Sequence, residues 1–126
     1  MTIYIFGNPD LSFDSFPLRL LPELRRRFPK IEFKILDPNE EWEIPENLII
    51  IDTVIGLKKP QIFTNLDQFD QTPHISLHDF DALSNLRYLK KLGQLKKITI
   101  IGLPSKISQK DAMASLSHFL VNFSAS

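Results

Sequence analysis

Four short runs of apolar, often β-branched residues constrain this chain most: Thr2 to Phe6, Ile31 to Leu36, Leu48 to Ile51 and Ile98 to Ile101. A strand with one face in water alternates apolar and polar residues, whereas a nearly continuous apolar run suits a strand covered on both faces, as in a parallel sheet. Parallel strands need crossovers, and helical patterns fill the intervals. From Asp14 to Phe28, Leu20, Leu21, Leu24 and Phe28 form one stripe while Arg25, Arg26 and Arg27 face away. Asp14 or Ser15 offers a helix cap, Pro17 suits the first turn, and Pro22 predicts a kink because it removes one intrahelical hydrogen bond. A second helix is predicted from about His78 to Leu92, with Phe80, Leu83, Leu86 and Leu89 or Lys90 at helical spacing and a stop at Gly93. A third runs from Ser108 to Phe123 on the stripe Met113, Leu116, Leu120 and Phe123.

The order strand, helix, strand, strand, helix, strand, helix predicts an α/β fold over a single domain, 1–126. The expected form is a three-layer sandwich with a mostly parallel central sheet of about five strands and helices on both faces. Two connections depart from the pattern. Asp37 to Asn47 is short for a parallel crossover, and Thr53 to Leu77 has no helical pattern, only Gln61 to Thr64 as a possible edge strand. A long irregular loop on the ligand edge of a sheet is often functional.

Charge and cysteine content narrow the chemistry. The chain carries no formal net charge, so nothing draws the whole molecule to nucleic acid or to an anionic membrane. Its basic pairs and triplets are separated and offset by acids. Cysteine is absent, which excludes disulfides, thiolate catalysis and thiolate metal sites. With no signal-peptide pattern and no apolar run near ~20 residues, a soluble cytoplasmic protein is expected. No oligomer signal is evident, and a monomer is expected.

Chemistry-bearing residues gather at the ends of the apolar runs. Asp14 follows the first run, Asp52 closes Leu48-Ile49-Ile50-Ile51, and His78 opens the second helical pattern in Ser76-Leu77-His78-Asp79. With strand order 2-1-3, the first and third strands are neighbours and their carboxyl ends share one edge, where open α/β sheets place ligands. Two carboxylates and one imidazole there make a three-point seat for a divalent transition metal. A helix amino terminus disfavours imidazolium, so His78 would stay in its neutral, metal-binding form. Asp14 alone reads equally as a helix cap, and His74 and His118 as structural or exposed residues. The turn Gly7-Asn8 lacks the further glycines of a dinucleotide fingerprint, and no serine stands in a glycine elbow.

The whole chain resembles the hydrogenase maturation endopeptidases, which trim the large subunit of NiFe hydrogenases. The resemblance rests on Ile5-Phe6-Gly7-Asn8, on Asp14, on Ile49-Ile50-Ile51-Asp52-Thr53 with Pro60 beyond it, and on Ser76-Leu77-His78-Asp79-Phe80-Asp81-Ala82-Leu83. It continues through Leu89-Lys90-Lys91-Leu92-Gly93 and Ile98-Thr99-Ile100-Ile101-Gly102-Leu103-Pro104. It implies that Asp14, Asp52 and His78 bind metal and serve catalysis. The implied reaction is removal of a carboxy-terminal extension from the precursor of the large subunit, after nickel insertion, with the nickel supplied by the substrate. It also implies substrate contact at Asp37, at the end of the second strand. Trp42 is a large apolar group in the acidic stretch that follows, and Asp37 to Trp42 is expected to form the substrate-facing rim together with the loop Thr53 to Leu77.

Some positions depart from the family. Phe13 replaces an acidic residue, Pro17 a helix-start glycine, and Pro38-Asn39 the glycine-rich turn after Asp37. Proline cannot take the positive φ that glycine supplies, so this loop must have another shape. Two other readings compete. One is a non-catalytic relative that binds a hydrogenase-like subunit or a metal. The other is a receiver-like phosphoacceptor domain using Asp10, Asp52 and Lys106, which would need a crossover helix after Asp52.

Overall fold

A computed structural model of the chain describes residues 1–6, 16–36, 45–72, 74–77 and 80–124. Its strands are β1 (Thr2–Phe6), β2 (Glu32–Leu36), β3 (Asn47–Ile55), β4 (Gln61–Phe63), β5 (Ser76–Leu77) and β6 (Lys97–Pro104). Its helices are α1 (Phe16–Arg19), α2 (Leu21–Arg27), α3 (Gln68–Gln71), α4 (Phe80–Lys91) and α5 (Gln109–Ser124). The fold is α/β with a mostly parallel sheet. Among the described residues the sheet has six strands in the order β2-β1-β3-β6-β4, with β5 added against β3. The expected neighbours β2, β1 and β3 stand in the expected order, all parallel.

Alternation along the strands separates two apolar clusters. Tyr4, Phe6, Leu48, Ile50, Val54 and Ile100 join one, which includes Leu86 of α4. Ile3, Ile5, Ile51, Ile101 and Leu103 join the other, with Leu21 and Leu24 of α2 and Ala112, Met113, Leu116 and Leu120 of α5. Successive side chains of a strand point to opposite faces, so α4 lies against one face and α2 and α5 against the other. In β1, β3 and β6 burial on both faces is the physical reason that the runs are apolar almost throughout, whereas β2, at the edge of the sheet, leaves Glu32, Lys34 and Ile35 exposed.

The structure corrects the sequence reading at several points. The stretch expected as one kinked helix forms two, α1 and α2, joined at Leu20. Pro22 stands in the first turn of α2, where its missing N–H costs no hydrogen bond, and the amide of Leu24 still donates to Leu20 O at 2.9 Å. Strand β3 does not end at Asp52 but continues to Ile55, because Thr53 and Val54 still pair with Leu103 and Pro104 of β6. Residues 53–77 are not free of helix: α3 forms one turn there, and Ser76–Leu77 adds the sixth strand. Both elements are too short to show periodicity. The possible edge strand is real, as β4 runs antiparallel beside β6.

The helix ends follow the expected chemistry. Gly93, at φ +78°, terminates α4; its amide donates to Lys90 O and that of Gln94 to Leu89 O, both at 3.1 Å. That pair of bonds is a Schellman cap. At the start of α5 the Ser108 hydroxyl accepts from the Asp111 amide at 3.0 Å. No helix among the described residues is long and apolar enough to cross a membrane.

Candidate functional site

The carboxyl edge of β1 and β3 is organised by how β3 shares its two sides. Strand β6 pairs with β3 from Asn47 to Val54 and fills one side. The other side is divided: β1 pairs in parallel, with Tyr4 opposite Ile50 and Ile5 opposite Ile51, and β5 pairs antiparallel, with Leu77 opposite Val54 and Ser76 opposite Ile55. Strands β1 and β5 therefore run toward each other in one lane. By register, β1 ends at Phe6, level with Asp52, and β5 ends at Leu77, level with Val54. A strand rises about 3.3 Å per residue, so both chains leave the sheet within one or two residue steps of Asp52 and Thr53.

Asp52 is 4 % exposed, and it and Thr53 are the buried polar residues of the described chain. It shares the face of Ile50 and Val54, the α4 side of the sheet, and stands in register with Gly102 of β6. Burying a carboxylate among Phe6, Ile50 and Val54 is costly compared with an apolar residue, which separates Asp52 from every other position in the central strands. This is also the topological switch point of the sheet, since the chain moves from β1 outward to β2 and then back to β3 on the other side.

Of the expected site residues, Asp52 is placed by the structure. Asp14, His78, Asp37 and Trp42, like Asp10, lie outside the described residues. The flanking elements are described: α1 begins at Phe16, two residues after Asp14, and leads into α2 on the face opposite Asp52. β5 ends at Leu77, immediately before His78, and α4 begins at Phe80 and packs on the same face as Asp52. Among the described residues no three histidine, aspartate or glutamate side chains group as metal ligands. The longest helix between Ile55 and Phe80 among them is the four-residue α3.

The edge beyond Asp52 contains a glycine that sequence reasoning passed over. Gly56, just after β3, has φ +93°, and a Cβ there would lie 2.1 Å from the carbonyl oxygen of His74. The close approach draws residue 74 against the end of β3 and sets up the β5 pairing two residues later. A lone glycine in a long loop gives no signal of such a contact. His74 itself is exposed, as is His118. Comparison of the chain with family models, curated proteins and solved structures gives no match.

Proposed function

We propose that this chain is a metal-recognising endopeptidase of the hydrogenase maturation type, acting on the nickel-loaded precursor of a NiFe hydrogenase large subunit. The observation that carries the reading is the shared lane on β3. The chain end that leads to Asp14 and the one that leads to His78 run toward each other beside the buried Asp52. Around this site we infer a three-layer sandwich, with α2 and α5 over one face and α4 over the other, and a monomer working in the cytoplasm.

The donor set suits a visiting metal. Two carboxylates and one imidazole hold a divalent ion such as nickel without the thiolates that would retain it, and they leave positions open for the substrate's own ligands. Asp52, fixed in the strand, is the rigid member, and Asp14 and His78 would complete the set from the segments that follow β1 and β5. The nickel held by the precursor is then substrate; docked on these residues it would bring the scissile bond to the sheet edge and polarise its carbonyl for attack by water, the C–N bond breaking as the released amine takes up a proton from that water. Asp37 and Trp42 take the substrate-facing rim, and the altered turn Pro38-Asn39 shapes the choice of precursor.

The test is incubation of purified nickel-loaded precursor with the protein, followed by mass spectrometry of the large subunit. Wild type should shorten the precursor by a carboxy-terminal peptide, and Asp52→Asn, nearly isosteric, should lower the rate by at least about a hundredfold while leaving the thermal midpoint within a few degrees. Cleavage of nickel-free precursor at the same rate would reject metal recognition. Binding of the precursor without shortening would select the non-catalytic relative, a reading favoured by the altered loop Pro38-Asn39.

A further inference from the structure

A groove of about 670 Å³ opens between the β3–β4 loop, the β6–α5 turn and the first turns of α5. Its walls include Lys58, Lys59, Pro60, Lys106, Ile107 and Asp111. Asp111, Ala114 and Ser115 of α5 line it together with Leu57 of the β3–β4 loop, and Asp52 is not among its lining residues. Three lysines face one aspartate across it, a local excess of two positive charges on a chain with no net charge.

Among the described residues those lysines take part in no ion pair; the pairs there use Arg26, Arg27, Lys34, Arg87 and Lys96. All three are exposed. Two sequence-distant segments thus hold unpaired cations around one concavity, and that arrangement attracts an anionic ligand.

The walls narrow the class. The volume falls within the range of sites for drug-sized ligands and far exceeds one tetrahedral anion. Pro60, Pro104 and Ile107 add apolar surface between the charges, and among the described residues no aromatic ring lines the groove on which a nucleobase could stack. We propose that the groove binds an extended acidic peptide segment, carboxylates on Lys58, Lys59 and Lys106 and apolar side chains against the prolines and Ile107. The proposal is independent of the peptidase reading, since it requires neither metal nor cleavage.

The experiment is an amide NMR titration of the full chain with a short synthetic peptide that alternates glutamate and leucine, without metal. Shifts should concentrate at Leu57 to Lys59 and at Lys106 to Asp111, and should weaken as salt is raised. The triple variant Lys58→Gln, Lys59→Gln, Lys106→Gln removes exposed charges only and should bind about tenfold more weakly. Equal binding by a glutamine-for-glutamate peptide, an undiminished affinity in the triple variant, or shifts confined to other surfaces would overturn the proposal. An equal response to inorganic phosphate at the same concentration would overturn the peptide assignment.

Discussion

Strands β1, β3 and β6 are buried on both faces, whereas the segment from Gly56 to Leu77, which contains β4, α3 and β5, is anchored in one cluster through Phe63, Leu66, Phe69, Ile75 and Leu77 and shaped by a few specific polar contacts. In the first region Ile3, Ile5, Ile50, Ile51 and Ile101 are all within 1 % of complete burial, so each position is supported by several neighbours. In the second, Phe63 and Phe69 stack with ring centroids 4.8 Å apart, and the Gln68 side chain accepts from the amides of Thr64 and Asn65 at 2.9 and 3.1 Å. Asn65 Oδ1 accepts from the Asp67 amide at 2.9 Å. Gly56 makes the backbone approach to His74, and Arg87 reaches from α4 to Asp70. A region fixed by burial tolerates the loss of a polar contact. A region buried in one cluster only, and shaped by polar contacts and a special φ, can open while the rest stays folded.

Truncation in the first region should have the largest effect. Ile51→Ala removes a fully buried side chain on the α2 and α5 side, opposite Ile5 and Ile101 in register, and should cost about 2–5 kcal/mol. Urea unfolding should show a lower midpoint with an unchanged slope, the sign of lost stability in one cooperative transition. A loss below about 1 kcal/mol would mean that the site collapses around the cavity and that the sheet is not the rigid half of the comparison.

The same contrast explains what could be read from the sequence. Continuous apolar runs and helical stripes revealed β1, β2, β3, β6, α4 and α5, because each must satisfy a long stretch of core. Pro22 signalled an interruption but suggested a kink within one helix, whereas the chain breaks at Leu20 and sets Pro22 in the first turn of α2, where no hydrogen bond is lost. β5 and α3 escaped notice because two to four residues cannot display a period, and their positions come from tertiary contacts that no pattern signals: Val54 for Leu77, far apart in sequence, and the stacking of Phe69 on Phe63. At the site, Asp52 stood out as an acid within an apolar run. Its place in the middle of the pairing, rather than at the strand end, was hidden, since the extension to Ile55 depends on β5 and β6 arriving beside it.

A smaller effect is expected at the joint between the two regions. Gly102 has no unusual φ, but a Cβ there would meet Val54 Cγ2 at 2.7 Å, Phe63 Cε2 at 3.0 Å and Leu57 Cδ1 at 3.1 Å. Gly102→Ala should therefore overpack the contact between β3, β4 and the loop after β3, at a cost of about 1–3 kcal/mol. Shortening the nearest neighbour, as in Val54→Ala, should make the double variant lose less than the sum of the two single losses. Strict additivity would show that the regions are not coupled through this glycine.

The smallest effect should come from the ion pair that ties α3 to α4. Arg87 grips Asp70 with two hydrogen bonds, Nη1 to Oδ2 at 2.9 Å and Nη2 to Oδ1 at 2.8 Å. The guanidinium holds the Asp70 carboxyl below its ordinary range, chiefly through those hydrogen bonds. Both groups are largely open to water, so the bidentate geometry is screened and its contribution to global stability is small. Because the folded-state pKa is depressed, the stabilisation is present above the unfolded carboxylate value of about 3.9 and is lost as the pH falls through the folded value. Arg87→Gln should return the Asp70 carboxyl to its ordinary range in a carbon-detected NMR titration. It should also speed amide exchange at Phe69 to Thr72 at neutral pH while leaving Ile50 and Ile51 unaffected. The difference from wild type should shrink in acid. Faster exchange in the central strands as well would merge the two regions into one cooperative unit and end the distinction between them.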